Sequence, residues 1–233
     1  MRKTMLAGLV AGTLLVLLLG AIGARLGVLA APPRPDGPWM WVATRAAGVT
    51  ALVALTLDVA LGLVLSTGAL DAWMARARSL ELHRTLSATA LALTAGHVLV
   101  LMLDPFIRYD ALDVAVPGVS SYRPSAVAAG IGAAYLALVI HVSFGLRATI
   151  GARWWRRLHY ASFAVLFGAL AHGILAGGDT GRTGMQVFYG ILAGAIAALI
   201  GLRVGARIVA PGRRIVAPAR QISATMITPD ATD

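Results

Sequence analysis

The chain has no cysteine, little charge and few aromatic residues, and each shortage narrows what it can be. Without cysteine there are no disulfides, no iron–sulfur clusters and no thiolate zinc sites. Charged residues make up 13% of the sequence and apolar ones 58%, whereas a soluble domain carries about 25% charge. Such a chain belongs in lipid. Acidic residues are scarcer than basic ones, ten against twenty, for a net charge of +10. In an apolar chain that excess reads as arginine on the cytoplasmic face of a membrane, not as a nucleic-acid footprint. No nucleic-acid partner is expected.

What is present in quantity is the long apolar run. A helix needs about 20 apolar residues to cross a bilayer, and segments 4–24, 41–65, 80–103, 126–150, 155–175 and 185–204 each supply them. The fold expected is all-α: an integral membrane bundle of six transmembrane helices in residues 1–205, then a basic, largely disordered tail in 206–233. The breaks have physical causes. Four prolines in APPRPDGP at 31–38 forbid helix. Asp104 and Pro105 stop the third segment, and Gly177, Gly178 and Asp179 close the fifth.

Orientation follows from the basic residues. With both termini, the second–third loop and the fourth–fifth loop on one side, that side holds fourteen of the twenty lysines and arginines. Both termini are then cytoplasmic, in a multi-pass protein of the cell membrane. Trp39 and Trp41 on one side, and Trp154 and Trp155 on the other, fall where aromatic belts are expected. The first segment also resembles a signal peptide, with Met1-Arg2-Lys3 ahead of an apolar run and a small-residue stretch at 21–24. Its run exceeds the roughly 7–15 residues of a signal peptide, which favours a retained helix. Cleavage would leave five helices oriented as before. The tail repeats seven residues, RIVAPGR at 207–213 and RIVAPAR at 214–220. It is either a basic strip against lipid headgroups or a docking segment for a cytoplasmic partner.

Five histidines occur, and four form a pattern. His83 and His97 lie fourteen residues apart in the third segment, His159 and His172 thirteen apart in the fifth. Ionisable side chains at membrane depth cost about 2–3 kcal/mol or more, so they are rare without a partner or a function. Fourteen residues advance about 21 Å along a helix and thirteen about 19.5 Å. The third and fifth segments run in the same direction, which places His83 level with His159 near the cytoplasm and His97 level with His172 near the outside. Each level offers two axial nitrogens to one haem iron, so two b-type haems per chain are expected. Fourteen residues return to within about 40° of one helix face, while thirteen miss by about 140°. The fifth segment therefore needs a local distortion or different approach angles at its two histidines, with Gly168 between them. The same four histidines could instead be packed interior residues, a reading that matched depth on two parallel helices weakens. His141 has no partner at its depth and is read as structural or proton-handling.

The chain resembles the ferric reductase-like transmembrane family over about residues 39–203. The resemblance rests on Arg45-Ala46-Ala47-Gly48, on Leu82-His83-Arg84 with His97, and on Ser143-Phe144-Gly145-Leu146-Arg147. Trp155-Arg156-Arg157-Leu158-His159-Tyr160 followed by His172 carries it furthest. The family includes the haem core of NADPH oxidases, metalloreductases and the membrane haem subunit feeding a methionine sulfoxide reductase, and its two-haem members show the fourteen-and-thirteen spacing. The resemblance implies that His83, His97, His159 and His172 ligate haem iron. It also implies one-electron transfer from a cytoplasmic or membrane donor to an outer acceptor. The oxidases and metalloreductases continue into flavin and nicotinamide domains; here about thirty residues follow the sixth segment, with no Gly-x-Gly-x-x-Gly motif. The donor expected is a separate flavoprotein, a quinol or another cytochrome, and the chain itself an electron-transfer subunit of an oxidoreductase.

Arg45 at the outer end, and Arg84 and Arg157 beside the inner ligands, either bind haem propionates or snorkel to headgroups. Asp58, deep in the second segment, either carries protons toward a quinone or bonds a neighbouring helix. Gly8-x-x-x-Gly12 and Gly190-x-x-x-Gly194 permit close helix contact. The competing function is a haem-free helical transporter or accessory protein whose histidines and Asp58 line a proton path.

Overall fold

The computed structural model describes residues 39–104 and 109–209. The first segment with its glycine motif, the proline-rich stretch at 31–38, Pro105 and the repeats of the tail beyond residue 209 lie outside the described residues, as do the side chains of Trp39 and Trp41. Everything described is helix, turn or irregular chain, without strands. The helices are α1 (Trp39–Thr67), α2 (Arg76–Leu103), α3 (Ala111–Ala115), α4 (Pro124–Ser143), α5 (Arg147–Ile150), α6 (Ala152–His159), α7 (Ser162–Ala176) and α8 (Thr183–Val209).

Five stretches among the described residues are long and apolar enough to cross a membrane: Val42–Thr67, Arg76–Leu103, Pro124–Ser143, Ala152–Ala176 and Thr183–Gly205. Large apolar side chains such as Leu99, Leu103, Ile191 and Leu202 face outward, each at least 60% exposed. Water would not tolerate an apolar exterior on this scale, and lipid does. Inside the helices, threonine hydroxyls donate back to the carbonyl four residues earlier (Thr50 to Ala46, Thr56 to Leu52, Thr89 to Thr85, Thr94 to Ala90). Each polar group is thereby satisfied within its own helix.

Helix α1 is the centre of the bundle. Its buried Ala46, Ala47, Ala51 and Ala54 are small, so neighbouring helices approach closely. Helix α2 packs antiparallel along it, and α7 and α8 flank it. Val59 and Leu63 of α1 meet Leu166 of α7 and Ile196 of α8 in one buried cluster. Helix α4 packs chiefly on α7, where Gly168 lets α7 approach Ala133 of α4.

Two segments are interrupted, the fourth where the sequence reading expected continuous helix and the fifth where it expected a distortion or different approach angles. The fourth stops at Ser143, with a turn before the short α5, because Gly145 follows and helix propensity falls there. The fifth is divided at Tyr160 and Ala161. There Ala161 N–H donates to Leu158 O and Phe163 N–H to Tyr160 O, three residues back instead of four. Tighter winding of this kind turns about 20° more per residue than an α-helix. It supplies part of the rotation that thirteen residues lack. The distortion thus adjoins His159, whereas Gly168 sits in regular helix.

Candidate functional site

Helices α1, α2, α4 and the α6–α7 pair enclose a cavity of about 1180 Å³, larger than the roughly 300–1000 Å³ that holds one drug-sized ligand. All five histidines line it. They are not scattered. The rings of His83 and His159 have centroids 6.1 Å apart, and those of His97 and His172 6.3 Å apart. A metal–imidazole bond of about 2.0 Å, with about 1.1 Å more to the ring centre, would separate two imidazoles on opposite sides of one metal by about 6.2 Å. Among the described residues no three His, Cys, Asp or Glu side chains gather to hold a bare ion. Each pair supplies two nitrogens that face each other across the cavity.

Closely placed glycines and backbone carbonyls hold the His97–His172 level. His97 Nδ1 lies 3.0 Å from Thr44 O, and His172 Nδ1 lies 2.9 Å from Ala126 O. A carbonyl only accepts, so Nδ1 carries the proton in both rings and Nε2 keeps the lone pair a metal needs. The rings fit because glycines face them. A Cβ added at Gly48 would lie 3.0 Å from His97 Cε1, and one at Gly130 only 2.6 Å from His172 Nδ1.

The His83–His159 level is built differently. His83 packs on Gly62, where an added Cβ would lie 3.3 Å from Cε1. Its Nδ1 is 2.8 Å from Asp58 Oδ1, an ion-pair distance without the alignment of a good hydrogen bond. His159 stacks on Trp155, 5.0 Å between centroids and 20° between planes. Its Nδ1 has no hydrogen-bond partner among the described residues. Asp58 therefore contacts a neighbouring helix, and its partner there is a histidine. His141, between the levels, meets Ser87 with 3.2 Å from its Nδ1 to Oγ.

The arginines divide. Arg45 lines the cavity at the His97–His172 end and pairs with Asp179, which Arg182 also approaches at 3.4 Å. Arg84 lines the opposite end, near Glu81 at 3.4 Å and over the Phe144 ring at 4.9 Å. Arg157 is turned onto the Trp154 ring, 4.7 Å from its centre. Arg147 also lies over the Phe144 ring, 4.1 Å from its centre, and Arg156 and Arg203 line the cavity. Tyr109, in the loop after α2, closes the Arg45 end. Burial, with Tyr122, Asp113 and Asp104 nearby, pushes its phenol up to about 12 against a hydrogen bond to Ser120.

Sequence reasoning named the four paired histidines, Arg45, Arg84 and Asp58; it quoted Gly48 and Trp155 without their contacts to the rings, and missed Thr44, Gly62 and Gly130. One signal was available: Thr44 and Asp58, Gly48 and Gly62, and His83 and His97 are all fourteen residues apart. The chain matches no family model, no curated protein and no solved structure.

Proposed function

We propose that this chain is a bis-haem b electron-transfer subunit of a membrane oxidoreductase, of the ferric reductase-like kind. In this reading His83 and His159 ligate one haem and His97 and His172 the other. The observation that carries it is the pair of histidine couples, 6.1 and 6.3 Å between centroids, at two levels of one cavity. Arg84, with Arg156 and Arg203, is placed for the propionates of the first haem. Arg45 sits at the second haem's end, already engaged by Asp179. Haem b supplies one-electron redox chemistry when bound; the chain holds the imidazole rings in facing pairs and fixes the tautomers of His97 and His172 through backbone carbonyls.

The basic loops support cytoplasmic termini. Electrons then enter at the His83–His159 level from a flavoprotein, quinol or other membrane donor and leave at the His97–His172 level toward an outer acceptor. The levels are about 21 Å apart along α2, so the two haems together relay charge over most of the hydrocarbon thickness.

The test is the absorption spectrum and pyridine haemochrome content of the purified protein. Two low-spin haems per chain are expected. A chain that binds no haem when supplied with it during expression overturns the proposal and leaves the proton-path reading.

A further inference from the structure

Helices α1 and α2 meet twice in one register. At one level the His97 ring lies on Gly48 and its Nδ1 faces residue 44; fourteen residues along both helices, the His83 ring lies on Gly62 and its Nδ1 faces residue 58. The two meetings differ in one chemical respect. At residue 44 a backbone carbonyl faces the imidazole. At residue 58 a carboxylate oxygen stands 2.8 Å from it. A neutral carbonyl holds the ring at the His97 level, so holding a ring does not by itself call for a carboxylate. Asp58 is also buried, 8% exposed, in an apolar helix where an acidic side chain is costly without a role. At the His97–His172 level both imidazoles rest on neutral carbonyls.

We infer that Asp58 is a positioning residue that makes the iron held by His83 and His159 harder to reduce than the iron held by His97 and His172. This rests on the bis-haem reading. A carboxylate 2.8 Å from Nδ1 puts negative charge beside the ligand ring, and negative charge in a low-dielectric interior favours the ferric over the ferrous state. An electron moving from the first level to the second oxidises one iron and reduces the other, with no proton or further reactant required. Asp58 tilts that exchange outward. The asymmetry gives direction to the path.

The experiment is an anaerobic redox titration of the haem bands of the full chain, with each component assigned by its loss in His83→Ala or His97→Ala. Asp58→Asn keeps an oxygen on nearly the same frame. It is expected to raise the His83–His159 potential by at least the equivalent of a tenfold change in the reduction equilibrium, about 59 mV for one electron, and to leave the other component in place. Thr44→Asp puts a carboxylate at the matching position and is expected to lower the His97–His172 potential; it decides the matter if Asp58→Asn does not assemble. Two bound haems whose potentials ignore both substitutions, or move together, overturn this inference while leaving the bis-haem reading intact. Absence of haem from the unmodified chain overturns that reading itself.

Discussion

On the bis-haem reading, alanine at Gly130 should weaken binding of the haem assigned to His172 with little disturbance elsewhere. The added Cβ would lie 2.6 Å from His172 Nδ1, 2.8 Å from Cγ and 3.0 Å from Cε1. Ordinary contact between such atoms is about 3.5–4.0 Å, so ring and helix must part by about 1 Å. Metal–ligand distances tolerate about 0.2 Å, and the Nδ1 bond to Ala126 O would be lost in the same movement. Overpacking of this kind costs about 1–3 kcal/mol, or about five- to 150-fold in haem affinity. Gly48→Ala, at 3.0 Å from His97, should be milder, and Gly62→Ala, at 3.3 Å from His83, milder again. Gly132, with nothing within 4 Å of its added Cβ, is the control. Haem per chain by pyridine haemochrome, followed through a haem-competition titration, reads the series. If Gly130→Ala retained both haems at unchanged affinity, or if the four variants were indistinguishable, the rings could not be held as described.

Alanine at His83 or His159 should remove one spectral component and alanine at His97 or His172 the other, while His141→Ala retains both; a shared loss in His83→Ala and His97→Ala would break the pairing. Asp179→Asn removes the carboxylate that pairs with Arg45, where the side chains are 20% and 7% exposed, and should cost about 1–3 kcal/mol, read as a fall in the thermal midpoint in detergent; an unchanged midpoint would refute it. NADPH without added flavin or reductase should not reduce the haems of this 233-residue chain, which lacks a dinucleotide-binding glycine motif; fast anaerobic reduction by NADPH alone would show otherwise. Since the chain is free of cysteine, single cysteines report topology cleanly: Ala72→Cys should react with an impermeant thiol reagent only from the cytoplasmic side and Val119→Cys only from outside, and the reverse pattern would invert the assignment.

The existence of the helices was legible because a span in lipid is apolar all round, and its length is set by the bilayer. The helix ends were less so. Ser143 lies inside a continuous apolar stretch, and only Gly145 hints that α4 stops. The break beside His159 shows the limit well. Thirteen-residue spacing required a distortion, yet no glycine or proline marks its place at Tyr160 and Ala161. Levels were readable because axial rise is nearly constant along a helix. Partners across helices were not, since rotation and register decide them. Arg45 looked available to an anionic ligand until the loop at Asp179 folded back onto it. Asp58 looked like an isolated carboxylate until antiparallel packing brought His83 to it.

The fourteen-residue spacing of the α1 glycines explains why two such sites fit in one pair of helices. Fourteen residues amount to almost four α-helical turns, so a surface feature on one face recurs there with a drift of about 40°. Two helices that both repeat at fourteen drift together, and a contact made once is remade about 21 Å away. Glycine at each meeting gives the imidazole its space, and the position four residues before the glycine supplies the atom that faces Nδ1. A single local solution is thereby used at two depths. What separates the copies is then confined to the few residues that break the repeat: threonine against aspartate at 44 and 58, and a carbonyl under His172 where His159 has the Trp155 ring. Those departures are where direction and donor preference should be sought.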